Sequence, residues 1–230
     1  MNSLSLLSEY PHLTRPEFDA CVERFLARYS SSLSASGTCF EQRTSRAGRQ
    51  YLVLRRAIYA ESIAVGTVAE STVFSETDIE DDDPVVVSPA STQEGTSDGT
   101  YIEYHVVYSA TWRVPVLYVR VVLSDGEVVL DGAQVCDMVT GDAQVRQAMT
   151  AVPFGGALGV ADHPELNAPF LYLHPCHTAD LLRAVVPSSL GCNEMDVISV
   201  GPDEYLAAWL SLSGPAVGLA LPACGNAVES

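Results

Sequence analysis

Apolar residues in the first part of the chain recur at a helical period. Phe18, Cys21, Val22, Phe25 and Leu26 share one face of a segment predicted to be helical from about Arg15 to Ser31. Thr14 followed three residues later by Glu17 has the form of a capping box, and Pro16 is harmless in a first turn whose amides have no intrahelical partner. A helix with one apolar stripe needs a surface to lie on, most simply a sheet. The period then changes. Aromatic and β-branched residues over Thr38 to Thr44 and Gln50 to Ala60 predict two strands joined through Ala47-Gly48. Tyr101 to Ser109 and Val114 to Leu123 are stronger β runs separated by Ala110 to Arg113, a long hairpin in which Tyr104 and Tyr108 share a face with Val106. Ser124-Asp125-Gly126 marks a turn, Asp131 to Val139 a short helix, and Gly141 to Ala168 has only weak periodicity. Farther on, Tyr205, Leu206, Trp209 and Leu210 repeat at helical spacing between Pro202-Asp203 and Gly214-Pro215, and read as core.

These elements predict an α+β fold: an antiparallel sheet of at least four strands, the N-terminal helix across it and C-terminal helices beside it. A chain of 230 residues, 47% of them apolar, is enough for one core, so residues 1–230 are expected to form a single domain. Between Arg56 and Arg113 there is neither Lys nor Arg, and the stretch from about 70 to 99 holds Asp81-Asp82-Asp83 among many Ser, Thr, Gly and Pro. That composition predicts a flexible acidic insertion.

Charge narrows the partners. With 29 acidic residues against 12 basic ones the net charge is −17, which argues against nucleic acid or an anionic membrane as the main partner. All 12 basic residues are arginine, and lysine is absent. An arginine-favouring composition accounts for that in the ordinary way. The chemical reading is that a protein carrying an activated carbonyl acylates its own amines, and a lysine-free surface prevents this. The six cysteines, Cys21, Cys39, Cys136, Cys176, Cys192 and Cys224, have no short paired spacing, and Met1 to Ser8 is not a charged-then-apolar leader, so a reducing, cytosolic setting is expected. No apolar run approaches the ~20 residues that cross a bilayer.

Candidate chemistry concentrates in the segment from Asn167 to Leu182, read as a short buried strand, a corner stiffened by Pro175 and a helix opened by Thr178 as N-cap, with Asp180 in its first turn and Pro187 at its end. Cys176 then sits just before a helix N-terminus, where free amides favour an anionic sulfur. Three readings compete. Zinc held by His174, Cys176 and His177 lacks a second compact ligand cluster. A Cys/His protease with His105 or His163 as base lacks any local signature around the partner. A small cysteine packed before a helix needs no chemistry at all.

His174-Pro175-Cys176-His177-Thr178 resembles the active-site signature of the autophagy-related ubiquitin-conjugating-type enzymes. Two more stretches are similar to that family: Glu103 to Ser109 with Val114 to Tyr118, which resembles its central hairpin, and Tyr205 to Leu219, which resembles its C-terminal helix and the apolar turn after it. His163-Pro164 fits as well. The resemblance implies a ubiquitin-conjugating-like core in which Cys176 carries a ubiquitin-like modifier as a glycyl thioester and passes it to a lysine amine. It implies the modifier autophagy-related twelve, the activating enzyme autophagy-related seven and the target autophagy-related five, with transient residence at pre-autophagosomal sites and no stable membrane insertion. No cofactor or metal is implied, because the activating enzyme is the one that uses ATP.

The sibling branch, which conjugates a modifier to phosphatidylethanolamine, usually continues with Lys-His-Ala after the Pro-Cys pair; here His177-Thr178 follows, so the protein-directed branch is preferred. An inactive member that binds modifier or target is the other alternative. Around Cys176, the flanking His174 and His177 are candidate supporting groups, and Asn167 is a candidate oxyanion donor in place of the Asn that ordinary ubiquitin-conjugating enzymes carry in a His-Pro-Asn tripeptide. Tyr104, Tyr108, Val114 and Pro115 of the hairpin are the residues where the resemblance implies partner docking.

Overall fold

The computed structural model describes residues 7–58, 99–140, 158–189 and 200–221. Apart from Gly99, the predicted acidic insertion lies outside the described residues. The first helix, α1 (Arg15–Ala35), opens on the predicted capping box: the Thr14 hydroxyl accepts the Glu17 amide at 3.4 Å and the Glu17 carboxylate accepts the Thr14 amide at 2.7 Å. It continues past Ser31 because Tyr29 and Leu33 prolong the buried stripe.

Five strands and a helix follow: β1 (Thr38–Thr44), β2 (Gln50–Ala57), β3 (Tyr101–Ser109), β4 (Val114–Val122), the two-residue β5 (Val128–Val129) and α2 (Gly132–Thr140). Next come β6 (Leu158–Asp162) and β7 (Pro169–Leu173), then a 3-10 turn (Pro175–His177) that runs directly into α3 (Thr178–Ser189). The described chain closes with α4 (Pro202–Ser213) and a second 3-10 turn (Gly214–Val217). All strand pairs are antiparallel, and the seven-stranded sheet has the order β1-β2-β3-β4-β7-β6 with β5 paired to β4.

Two elements differ from the sequence expectation. β6 arises where periodicity is weak: it contains Gly159, exposes Val160 at 59%, and is ordered by pairing with β7 along one edge of the sheet. Pro187 does not end α3, which continues to Ser189. A proline in a last turn removes one amide but leaves the flanking residues helical.

Strand alternation gives the sheet two different faces. One carries Leu52, Leu54, Tyr104, Val106, Leu117, Val119 and Leu171 into the main core, where α1 supplies Phe18, Val22 and Phe25 and α4 supplies Tyr205, Leu206 and Trp209. Tyrosine hydroxyls lock this layer: Tyr205 donates to the Pro11 carbonyl at 2.7 Å, Tyr108 to the Leu13 carbonyl at 2.7 Å and Tyr104 to the Val217 carbonyl at 3.0 Å. The other face holds a smaller cluster of Tyr51, Val53 and Val107 with Tyr118 against it, beside the buried polar residues Glu103, His105 and His163. Among the described residues no helix is long and apolar enough to cross a membrane.

Candidate active site

Cys176 is placed by the strand that precedes it. Leu171 and Leu173 bury themselves in the main core and pin β7 against β4, so the chain leaves the sheet at a fixed edge. His174 is still extended, at φ −66° and ψ 127°, and Pro175, whose ring fixes φ near a helical value, begins the helical path. Thr178 is therefore not the N-cap expected from its hydroxyl. It lies inside the helical stretch at φ −56° and ψ −49°, its amide bonded to the Pro175 carbonyl. His174 takes the cap instead: its Nδ1 accepts the Cys176 amide at 3.2 Å. An accepting Nδ1 is bare, so the proton of the neutral ring is on Nε2. Cys176 thus sits in the first turn of a continuous 3-10 to α segment, and its side chain is exposed.

Exposure separates this cysteine from a packing residue. Cys21 is the contrast: it is buried in α1, and loss of solvent there pushes its thiol up to about 12. Cys39 is exposed on β1.

The other expected residues divide. His177 is exposed in the same turn as Cys176, and no described residue is paired with its ring. Asn167 is not near the sulfur. It closes the β6–β7 connection in a left-handed conformation, φ 50°, with its amide on the His163 carbonyl at 2.9 Å. The whole of β7 separates it from Cys176, on the order of 15 Å at the usual rise of a strand. It is the turn residue that its place before Pro169 allows, and not an oxyanion donor. In the hairpin, Tyr104, Val114 and Pro115 are buried and Tyr108 is half-buried, with both tyrosines packed into the helix layer; the exposed surface there is Ala110, Thr111 and Trp112. Direct docking through Tyr104, Val114 or Pro115 is corrected accordingly.

His105 and His163, the candidate bases of the protease reading, belong to the opposite face of the sheet. Their rings are fully buried and bonded to each other, Nδ1 of His105 to Nε2 of His163 at 3.1 Å, while the His163 Nδ1 accepts the Glu165 amide at 3.1 Å. Both nitrogens of His163 are thus committed, and the geometry of a cysteine–histidine base pair is absent from this face. Among the described residues no three His, Cys, Asp or Glu side chains gather as metal ligands. One residue at the site has no signal in the sequence: Trp112, in the β3–β4 connection, packs edge-on to the His174 ring with centroids 5.5 Å apart. An aromatic in a turn carries no periodicity, and its contact joins segments far apart in the chain.

The family model described as autophagocytosis associated protein, active-site domain, matches residues 17–223. A human protein named ubiquitin-like-conjugating enzyme ATG10 is 33% identical over 125 residues, 52% of this chain and 50% of that protein. An Arabidopsis thaliana protein of the same name is 29% identical over 175 residues, 75% of this chain and 73% of that protein. The chain thus spans about half the length of the human relative. A solved structure titled "Crystal structure of Autophagic E2, Atg10" superposes with a TM-score of 0.42 at 12% identity, covering 84% of this chain and 90% of that chain.

Proposed function

The chain belongs to the autophagocytosis-associated active-site domain family, and from that premise we propose that it is a ubiquitin-like-protein conjugating enzyme of autophagy with Cys176 as its thioester nucleophile. The observation that carries this reading is the placement of Cys176: exposed, in the first turn of a helical segment, at the end of a strand held between β4 and β6. Such a sulfur is fixed in position and open to a macromolecular carbonyl.

The chemistry is two acyl transfers. The modifier arrives as a thioester of its C-terminal glycine on the activating enzyme. The Cys176 sulfur attacks that carbonyl, a new C–S bond forms, the bond to the first thiol breaks, and the proton of Cys176 leaves with the departing thiol. A lysine amine of the target then attacks the same carbonyl; the amide forms, and the sulfur departs with the proton that the amine gives up. Each step passes through an oxyanion; the Cys176 and Thr178 amides are already bonded to His174 Nδ1 and the Pro175 carbonyl, which leaves the Nε2–H of His174 as the side-chain donor of this turn. Following the protein-directed branch of the resemblance, the modifier is autophagy-related twelve, the donor autophagy-related seven and the acceptor a lysine of autophagy-related five. The names of the relatives support the conjugating activity. ATP is spent by the activating enzyme, and the chain itself uses no cofactor. The active core and its acidic insertion act as one domain of residues 1–230, working in the cytoplasm with transient recruitment to pre-autophagosomal sites.

The test is a charging reaction with activating enzyme, ATP and modifier, resolved on non-reducing and reducing gels. Wild type is expected to form a reductant-sensitive adduct, and Cys176→Ser a reductant-resistant ester or none. Absence of an adduct under conditions that charge the activating enzyme would overturn the reading and favour a binding module without chemistry.

A further inference from the structure

The β3–β4 connection presents a large apolar side chain that neither the core nor the acyl transfer described above uses. Trp112 is 45% exposed. Its ring meets the His174 imidazole at an interplanar angle of 74°, and Tyr172 bounds the same imidazole with centroids 6.0 Å apart. His174 holds the Cys176 amide on its Nδ1. The contacts therefore form a chain from the indole to the imidazole to the backbone beneath the sulfur.

The hairpin is built to keep the indole in that place. Arg113 adopts φ 56°, a left-handed conformation that costs a residue with a side chain about 1 kcal/mol or more. The conformation is held from several directions. The Arg113 amide donates to the Ser109 carbonyl at 2.7 Å, the Arg113 carbonyl accepts the Leu13 amide at 2.7 Å, and its guanidinium pairs with Glu9 at 2.7 Å. The Trp112 amide reaches the Ser109 hydroxyl at 3.3 Å. A left-handed residue that closes a short hairpin loop is ordinary turn geometry; here these bonds hold the loop in one conformation, and with it the indole beside His174.

We propose that Trp112 is a positioning residue for the Cys176 chemistry: it holds the His174 imidazole in the orientation whose Nδ1 caps the turn that carries the sulfur. The proposal rests on the conjugating reading for its kinetic consequence, and on the His174 contact for its structural one. A ring free to rotate no longer accepts the Cys176 amide, and the turn loosens where the acyl group must be received.

The experiment uses the full chain as wild type, Trp112→Ala and Trp112→Phe, each with and without His174→Ala. Single-turnover charging is followed alongside the nitrogen resonances of the His174 ring at the same pH. Trp112→Ala is expected to slow charging on the order of tenfold, to move the His174 Nδ1 signal away from that of a hydrogen-bond acceptor, and to have no added effect once His174 is alanine. Trp112→Phe keeps an aromatic edge and is expected to retain most of the rate. Equal losses in both His174 backgrounds, or His174 nitrogen signals unchanged by Trp112→Ala, would overturn the proposal. If wild type itself does not charge, the conjugating reading fails separately, and the His174 signals alone decide this contact.

Discussion

At the scale of single residues, the second face of the sheet holds charge where a core holds none. The Glu103 carboxylate, wholly buried, accepts from Arg55 and, at 2.6 Å, from Arg120. Burial pushes its pKa up, but the adjacent His105 and the Arg120 charge outweigh that and hold it well below the usual carboxylate range. The paired rings respond oppositely: burial drives both histidines down, His163 to about 3, with the neighbouring His105 and Arg120 adding to the effect. An unfolded histidine takes a proton near its ordinary value of 6.5, which His163 in the fold refuses until far lower pH. The unfolded state therefore binds more protons as pH falls below about 6.5, and stability must fall with it. Between pH 6.5 and 5 most carboxylates remain ionised, so the histidines dominate, at up to about 2 kcal/mol for His163. Urea unfolding at both pH values is expected to show that loss in wild type and much less of it in His163→Asn; a wild-type midpoint that does not move would mean the pair is already charged. The placement of Cys176 at the start of a helical segment was legible at this scale because its signal is local: Cys176 and His174 are two residues apart, and Pro175 between them dictates the turn. The His105–His163 bond was not, since it joins positions 58 apart, and Asn167 misled because an Asn near a cysteine in sequence stands across a whole strand from it in space.

At the scale of elements, the best-read parts are those whose pattern and packing agree: α1 with its capping box, the β1–β2 and β3–β4 hairpins, and α4 between Pro202 and Gly214. β6 was invisible because an edge strand gains order from its neighbour and not from its own alternation. The start of α3 was displaced because a proline at the first helical position outranks a threonine that looks like a cap. Glycines test this account of packing. Gly218 follows the last 3-10 turn at φ 68°, and a Cβ there would stand 2.0 Å from Val139 Cγ1 of α2. Gly126 has φ 90° in an exposed turn, with nothing within 4 Å of a Cβ. Both lose glycine's backbone freedom on substitution, but only Gly218 must also push a neighbouring element aside. Gly218→Ala is expected to cost about 2 kcal/mol or more, lowering Tm by about 4–8 °C, and Gly126→Ala about 1 kcal/mol. Equal Tm losses in the two variants would show that the close approach of α2 does not matter.

At the scale of the molecule, the absence of lysine and the proposed thioester belong to one question. An arginine guanidinium stays protonated in proteins and is no nucleophile at neutral pH, so its use for every basic position leaves no side-chain amine to intercept an acyl group on Cys176. Asp180 is the place to break that condition. It lies four residues beyond Cys176 on a continuous helical segment, a spacing that puts two side chains on the same face about 5–6 Å apart at Cβ, and its side chain is 77% exposed. Asp180→Lys brings an amine within reach of the acyl carbonyl without entering the core, whereas Asp180→Arg brings the same charge without the amine. Both variants lose the pairing with Arg183, so that change cancels between them. The lysine variant, once charged and separated from activating enzyme, is expected to lose its reductant-sensitive adduct faster than wild type and to accumulate a reductant-resistant one on the same chain, with the arginine variant matching wild type. Peptide mapping of the resistant species to residue 180 would tie the lysine-free surface to protection of the acyl enzyme. An adduct that decays identically in both variants would reduce the arginine preference to composition, because the acyl group would then be shielded by the geometry of the site and not by the chemistry of its surroundings.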